Sequence, residues 1–253
     1  MLEPGPLQIR WEIHRRDTVR STMEEIDALA EAGAPEGTVV AARTQTDGRG
    51  RAGRSWVAPP DGGLLCSLLL RPTLAPHEIS AWPLLLGLAT AEACEEIGGT
   101  PCQIKWPNDV MAGGRKLAGV LVTTRSLGGR ISHVTCGVGI NLTGSPADLP
   151  AGATSISAQS SRLISCGEAL PLLLERVAIR YARFLRDRGR PPLDEWVGRA
   201  AWLGDVVEID DGAELRRGTY RGVDADGALV LETADGTTSR VVAGDLTRGP
   251  RPV

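Results

Sequence analysis

Lysine is almost missing from this chain: only two of its 28 basic residues are lysines, and arginine supplies the others. Both lysines, Lys105 and Lys116, fall within one segment of twelve residues. Lysine is a compact point charge, whereas the guanidinium of arginine is a planar fork that favours flat partners. Heavy use of Ala, Gly, Arg and Pro offers a second explanation, because GC-rich coding depletes lysine everywhere. If their position is not an accident, these two lysines are the first candidates for chemistry.

Other scarcities exclude whole classes of protein. The five cysteines form no Cys-x-x-Cys pair and mostly stand in apolar runs, so we predict buried free thiols and no disulfides or zinc ligands. No segment approaches about 18 uninterrupted apolar residues, and the N-terminus lacks the pattern of a secretory signal. The net charge of −3 excludes a global field that would draw the protein to nucleic acid or anionic lipid. We therefore expect a cytoplasmic protein.

The order of predicted elements divides the chain into two domains. Strand patterns occur at residues 7–14, 38–43, 63–71, 102–106, 117–125 and 131–140. Helical patterns occur at residues 21–33, where a capping-box sequence starts the helix, and at 76–97 and 168–188. Beyond residue 200, short alternating strands separated by Asp-Gly turns predict a β-barrel of roughly fifty residues. We expect an α+β fold with domains at residues 1–200 and 201–253.

The most distinctive motif is the segment GRGRAGRSW at residues 48–56, within a long loop. It formally matches the dinucleotide fingerprint G-x-G-x-x-G, but the residues after it cannot open the helix that this fingerprint requires. Its glycines let the backbone approach a ligand, its three arginines suit phosphate, and its final tryptophan can cover an apolar face. Two alternatives stay open, because Arg-Gly tracts also bind RNA nonspecifically and charged loops are often merely solvated.

A second motif, KWPND, begins at Lys105 and leads to Lys116 through a predicted strand, turn and strand. Lys116 stands at the edge of a buried strand, where its stem can pack and its ammonium can face a pocket. Asn108 and Asp109 are ordinary turn formers, and their functional interpretation is polar contact to a nucleotide or to magnesium. A third apolar strand ends in GVGIN at residues 137–141, again where a loop could meet phosphate.

These motifs, in this order, resemble those of the biotin protein ligases, also called biotin–[acetyl-CoA-carboxylase] ligases. The resemblance rests on residues 48–56, 105–109, 115–119 and 137–141 and on the terminal barrel, and it spans about residues 19 to 246. It implies a mixed β-sheet flanked by helices, related to class II aminoacyl-tRNA synthetases and lipoate ligases, followed by an SH3-like β-barrel. It also implies the reaction: biotin and MgATP give biotinyl-5′-AMP, and a carrier lysine then attacks the anhydride.

Carried over position by position, the resemblance assigns roles to individual residues. Lys116 and Arg51 are implied as the catalytic cations, because a carboxylate that attacks the α-phosphorus of ATP brings two anions together. The implied biotin-binding residues are Ser21, Thr22, Gln45, Arg49, Gly50, Arg51, Lys116 and Gly119. The implied ATP-binding residues are Arg49, Arg51, Arg54, Trp56, Lys105, Asn108 and Asn141. Ser21 either serves biotin or caps the first helix. Mg²⁺ is the implied cofactor, and its ligands stay unassigned.

The implied partners are biotin, ATP and a biotin carboxyl carrier protein or domain, with no membrane. Twenty residues precede Ser21, too few for the winged helix-turn-helix of repressor-type members, so we expect no binding to operator DNA. The oligomeric state stays open, a homodimer included. Two other functions also stay open. A lipoate or octanoyl ligase would use the same scaffold, although residues 48–56 and the barrel speak against it. A non-catalytic RNA-binding module would show strongly salt-dependent affinity.

Overall fold

A computed structural model describes residues 9–145 and 147–248 and contains one large mixed sheet. Its strands are β1 Glu12–Val19, β2 Thr38–Gln45, β3 Gly63–Leu70, β4 Gln103–Lys105, β5 Asp109–Ala112, β6 Arg115–Leu127 and β7 Arg130–Asn141. The order across the sheet is β1-β2-β3-β7-β6-β5-β4, in which the β1–β2 pair is parallel and the other pairs are antiparallel. The helices are α1 Thr22–Glu31, α2 Trp82–Gly98, α3 Ile156–Ser160, α4 Cys166–Arg186 and α5 Leu193–Val197. The predicted α+β class is confirmed.

The two faces of the large sheet carry different helices, because successive residues of a strand point to opposite sides. Val40 and Leu69 pack with Ile26 of α1 on one face. Val39 and Leu68 belong to the main core on the other face, where α2 and α4 pack against each other and against the sheet. The two long helices therefore cover one face of the sheet, and α1 packs on the other.

The C-terminal unit is a second, antiparallel sheet. Its strands are β8 Val206–Asp210, β9 Leu215–Val223, β10 Leu229–Glu232, β11 Thr238–Val241 and β12 Asp245–Arg248, in the order β11-β10-β9-β8-β12. Across the described residues the two end strands, β11 and β12, do not pair with each other, so the sheet is open where the sequence led us to expect a closed barrel. Four of the five strands and the Asp-Gly turns between them agree with the prediction, whereas β12 is not predicted by the sequence pattern. The exact boundary at residue 200 stays a prediction.

Some element bounds differ from the sequence prediction for local reasons. The first strand runs from Glu12 to Val19, later than predicted, and residues 7 and 8 lie outside the described part. Helix α2 begins at Trp82 and not at residue 76, because Pro83 fits the first turn of a helix but would break its interior. The sequence pattern predicts a turn where β5 lies, because this strand has only four residues between Pro107 and a glycine pair.

The cysteines behave as predicted. All five are free, and Cys66, Cys94, Cys102 and Cys136 are buried, whereas Cys166 is partly exposed. Burial raises the pKa of the Cys66 and Cys136 thiols to about 12, so both are protonated and chemically quiet near neutral pH. Over the described residues, each helix is either too short or too polar to cross a bilayer.

A tight seam joins the C-terminal sheet to the large one. The indole Nε1 of the buried Trp106 donates a hydrogen bond of 3.0 Å to the carbonyl oxygen of Gly227. Ile104 of β4 donates its amide to Arg199 at 2.7 Å and accepts from Ala201 at 2.9 Å, so the segment that enters the second sheet runs beside the edge of the first. The position of the C-terminal sheet is therefore fixed by backbone hydrogen bonds and by a buried indole.

The seam can be tested by replacing Trp106 with Phe. We expect the free energy of unfolding to fall by about 1–2 kcal/mol beyond the packing loss, because the Gly227 carbonyl loses its donor. Trp196→Phe is the matched control, since Trp196 is fully buried and its Nε1 has no partner among the described residues. Urea unfolding of both variants measures the difference. Equal losses in the two variants would show that the Trp106 hydrogen bond contributes nothing.

Candidate active site

A single cleft on the α1 face of the large sheet gathers most of the residues that the sequence analysis selected. The cleft contains about 660 Å³ of empty space, part of which is open to solvent. The predicted residues that line it are Thr22, Gln45, Arg49, Gly50, Arg51, Arg54, Trp56, Asn108, Lys116 and Gly119. They come from α1, from the end of β2 and the loop after it, and from β6 and the turn before β5. Arg51 and Lys116, which are far apart in the sequence, therefore face the same space.

The floor of the cleft is made of glycine. Gly119 of β6 and Gly139 of β7 are direct partners across the two strands. The indole of Trp56 lies on this pair so closely that a Cβ atom on Gly139 would be 2.3 Å from its Cε2, and a Cβ on Gly119 would be 2.9 Å from its Cζ3. Lys116 Nζ stands 5.4 Å from the centre of the same ring, within reach of a cation–π interaction. Only glycine lets a flat group approach the sheet at this point.

One wall of the cleft is a short chain of hydrogen bonds that orients Gln45. The Ser67 hydroxyl donates to Thr22 Oγ1 at 2.8 Å, and Thr22 Oγ1 in turn donates to Gln45 Oε1 at 3.0 Å. The Thr22 backbone amide donates to the same oxygen at 2.7 Å. Because two donors hold Oε1, the orientation of the Gln45 side-chain amide is set, and its Nε2 group faces away from Thr22 as a hydrogen-bond donor.

The cationic side chains of the cleft are partly removed from water, so an anionic ligand would stabilise them. Arg51 is partly buried, and burial lowers the pKa of its guanidinium because desolvation disfavours the charged form. Lys116 Nζ forms an ion pair of 2.6 Å with Asp109 Oδ1. An anionic ligand would relieve the desolvation at Arg51 and could take over one of the directions in which Lys116 donates.

The loop at residues 48–56, which we call the arginine loop, folds into a narrow hairpin. The Trp56 amide donates to the Gly48 carbonyl at 2.8 Å, and the Gly50 amide donates to Arg54 at 2.6 Å. A 3₁₀ turn at Arg51–Gly53 forms its tip, with Ala52 and the following glycine both at positive φ. Gly48 must lack a side chain, because a Cβ there would lie 2.4 Å from the Trp56 carbonyl oxygen. The hairpin thereby brings Trp56 onto the floor.

Side chains from α1 and from the C-terminal sheet hold the arginine loop. Arg49 forms an ion pair with Glu24 of α1. Arg54 Nη2 forms an ion pair of 2.8 Å with Asp245 Oδ1 at the start of β12. Neither Glu24 nor Asp245 is recognisable as a site residue from the sequence, since each is an ordinary acid whose arginine partner lies far along the chain.

Three predicted site residues lie outside the lining of the cleft. Ser21 is the buried N-cap residue of α1, but its hydroxyl makes no capping hydrogen bond, so the predicted capping box is wrong. Lys105 Nζ lies 5.5 Å from the ring centre of Trp202, and burial lowers the pKa of the ammonium. Asn141 is buried and donates its side-chain amide to Thr154 at 3.0 Å. Their roles toward biotin or ATP stay predictions.

A second groove adjoins the cleft at the seam between the sheets. The groove contains about 1270 Å³ of empty space, part of which is open to solvent. It shares four lining residues with the cleft: Arg51, Asn108, Val120 and Leu121. Its far wall comes from the C-terminal sheet, at residues 226–228, 240 and 242. The groove therefore leads from the outside, between the two domains, to the guanidinium of Arg51.

Within residues 9–145 and 147–248, no group of three or more His, Cys, Asp or Glu side chains is placed to hold a metal ion by itself. Asp109, the partner of Lys116, is a carboxylate at the edge of the cleft. This donor set fits Mg²⁺ that arrives bound to phosphate, since protein sites for Mg²⁺ commonly add one or two carboxylates to phosphate oxygens and water.

Comparisons with known proteins agree with this geometry. A model described as the Biotin/lipoate A/B protein ligase family matches residues 16–141, and one described as the Biotin protein ligase C terminal domain matches residues 204–246. The first match covers α1, the arginine loop, the glycine floor and both lysines. The second covers the sheet that supplies Asp245.

Individual relatives match most of the chain. The bifunctional ligase/repressor BirA of Bacillus subtilis is 32% identical over 237 residues, which cover 92% of this chain and 73% of that protein. The biotin–[acetyl-CoA-carboxylase] ligase of Paracoccus denitrificans is 36% identical over 206 residues, which cover 76% of this chain and 82% of the relative. The structure of the Aquifex aeolicus biotin protein ligase in complex with biotin and ATP is 28% identical, with a TM-score of 0.80, and covers 94% of this chain and 99% of that one.

The glycine floor predicts a spectroscopic effect of Gly139→Ala. The new methyl group would overlap the Trp56 ring, so we expect the indole to leave the floor and the emission of Trp56 to shift to longer wavelength. Subtracting the spectra of matched Trp56→Phe variants isolates this signal from the other tryptophans. Gly137→Ala is the control, because a Cβ there would meet the flexible end of Met23, 2.6 Å from its Sδ. The same shift in both variants would contradict the assigned floor.

Proposed function

The chain belongs to the biotin/lipoate A/B protein ligase family as a biotin protein ligase, and we propose that it works in two steps. In the first step biotin and ATP give biotinyl-5′-AMP and pyrophosphate. In the second step a lysine of a biotin carboxyl carrier protein takes the biotinyl group and AMP leaves. The observation that carries this proposal is the convergence of Arg51, Lys116 and the Gln45 amide on one cleft with a glycine floor.

Biotin suits the polar wall and the floor. Its ureido carbonyl can accept from the Nε2 group of Gln45, whose orientation is fixed by Thr22. The buried hydroxyl of Ser21 has no partner among the described residues and lies next to Thr22 in the chain, so a small shift would offer a second polar contact. The apolar part of biotin then packs against the Trp56 indole that covers the floor, and its carboxylate points toward Lys116.

The first step needs positive charge at the reacting centre. A carboxylate oxygen of biotin forms a bond to the α-phosphorus, and the bond from that phosphorus to the bridging oxygen of pyrophosphate breaks. Negative charge accumulates on the oxygens around the phosphorus, so a cation contributes most if it binds them more strongly in the transition state. Lys116 can place its ammonium between the carboxylate and the phosphate, while Arg51 can use its fork on two phosphate oxygens.

Magnesium belongs to the proposal as the partner of ATP. When bound, Mg²⁺ neutralises part of the triphosphate charge and makes pyrophosphate a better leaving group. Asp109 is the carboxylate best placed to approach it, and it would then exchange its contact with Lys116 for one with the cation. Such an exchange frees the ammonium for the carboxylate of biotin.

The second step requires a nucleophile from another protein. The ε-amine of a carrier lysine attacks the carbonyl carbon of the anhydride, an amide bond forms, and the bond to the AMP oxygen breaks with loss of a proton from the nitrogen. The groove between the domains offers a path for such a side chain, because it opens to solvent and ends at Arg51.

The proposed function is tested by incubating the purified chain with biotin, Mg²⁺, ATP and a carrier domain. We expect the carrier mass to increase by one biotinyl group, and we expect exchange of pyrophosphate into ATP that depends on biotin and not on lipoate. The family also includes lipoate ligases, so exchange with lipoate alone would overturn the substrate assignment. RNA binding without ATP consumption would overturn the enzymatic assignment.

Lys116→Arg tests the need for a compact ammonium. We expect the fold to persist and adenylate formation to fall at least about tenfold, equivalent to about 1.4 kcal/mol of barrier, because the planar guanidinium cannot take the same place between two anions. Arg115→Lys is the control, since Arg115 is the exposed neighbour on the same strand. Biotin-dependent pyrophosphate exchange measures both variants. Near-normal exchange in Lys116→Arg would refute the point-charge explanation.

A further inference from the structure

The arginine loop is fastened from two sides, and one fastening comes from the C-terminal domain. On the side of the large sheet, Arg49 pairs with Glu24 of α1. On the other side, Arg54 pairs with Asp245, and Arg51 Nη1 lies 3.5 Å from the carbonyl oxygen of Gly244. The loop is therefore stretched over the cleft between an anchor in each domain. Arg51, the implied catalytic cation, stands between the two anchors.

The anchor at Asp245 has a defined position. Gly244, the residue before it, has φ of +150°, and a Cβ there would lie 2.6 Å from Cγ2 of Ile209, so the turn into β12 requires glycine. Asp245 then pairs in register with Asp210 of β8. The C-terminal sheet itself is held to the large sheet by the Trp106 seam. Loop opening would therefore break the contact at Asp245 without moving the domain.

The ion pair between Arg54 and Asp245 is weak enough to break and re-form readily. The Arg54 and Asp245 side chains are 55% and 51% exposed, so solvent screens the pair. An exposed ion pair shifts an open–closed equilibrium by about twofold to fivefold. A shift of this size is too small to keep the loop closed permanently. It is large enough to change how often the loop opens while the activated intermediate is bound in the cleft.

We propose that Asp245 is a positioning residue, which holds the arginine loop closed through Arg54 and so protects the acyl-adenylate from water. The inference rests on the two-step function proposed above. In the wasteful reaction, water attacks the carbonyl carbon of biotinyl-5′-AMP, the bond to the phosphate oxygen breaks, and biotin and AMP are released. The C-terminal domain thereby lowers the fraction of ATP that is lost to hydrolysis of the intermediate instead of being used for biotin transfer.

A different role for Arg54 makes a different prediction. The family resemblance implies that Arg54 binds ATP, and in that case its removal weakens ATP binding whether or not Asp245 is present. If Arg54 acts through Asp245, the effects of the two substitutions do not add, because either one alone breaks the contact. A double-mutant cycle separates the two roles.

The experiment compares Asp245→Asn, Arg54→Gln, the double variant and Asp245→Glu in the full chain. The matched control is Asp205→Asn. Asp205 forms an ion pair of 2.7 Å with Arg248, which lies on β12 like Asp245, but this pair stays within the C-terminal domain. With biotin, ATP and Mg²⁺ but no carrier, we expect AMP release to rise twofold to fivefold in Asp245→Asn and Arg54→Gln, with no further rise in the double variant. Asp245→Glu and Asp205→Asn should stay near the unmodified rate.

Tryptic cleavage of the ligand-free chain gives a readout that does not need activity. We expect cuts after residues 49, 51 and 54, identified by fragment mass, to appear two to five times faster in Asp245→Asn than in Asp205→Asn. Equal cleavage in these two variants, or additive effects in the double variant on AMP release, would overturn the proposal. If the unmodified chain shows no biotin-dependent exchange of pyrophosphate into ATP, the proposed function fails, while proteolysis still decides whether Asp245 holds the loop.

Discussion

The site depends on one close approach: the indole of Trp56 lies on the backbone of two paired glycines, Gly119 and Gly139. A side chain at either position would push the ring outward, and the arginine loop that ends in Trp56 would move with it. The loop carries Arg51 toward the ammonium of Lys116, so the spacing of the cations also depends on this contact. Glycine is unfavourable inside strands, and its presence here reflects the space that a flat ligand or ring requires.

Charge is distributed over the cleft so that each cation already has a partial partner. Lys116 is held by Asp109, Arg49 by Glu24 and Arg54 by Asp245. Each carboxylate keeps its cation in place before the ligand arrives, which lowers the ordering cost of binding. Because Arg51 is partly desolvated and bonded weakly to a carbonyl, it is the cation most ready to accept phosphate. The two domains thus cooperate in a single electrostatic arrangement.

Much of the fold and most of the candidate site could be predicted from local pattern. The helix and strand periods identified the α+β class. The GRGRAGRSW and KWPND segments supplied six of the ten predicted residues that line the cleft, and the other four lie in α1, β2 and β6. Failures occurred where a distant contact decides the local conformation. The four-residue strand β5 exists because β4 and β6 flank it, and Ser21 fails to cap α1 although its sequence suits a cap. Asn141 ends a strand as predicted, yet its side-chain amide donates a hydrogen bond to the carbonyl oxygen of Thr154.

The sequence by itself determined the chemistry available: scarce lysine at two positions, an arginine loop with the glycines to fold tightly, and the order of motifs that marks the family. These features depend on residue type and near neighbours, which periodicity and turn propensity can read. Only the tertiary structure decided which groups meet. Gly139 lies under Trp56, Asp109 reaches Lys116 and Asp245 reaches Arg54 because of strand register and the seam between the two sheets. Such contacts join residues that are remote along the chain, and no local preference encodes them.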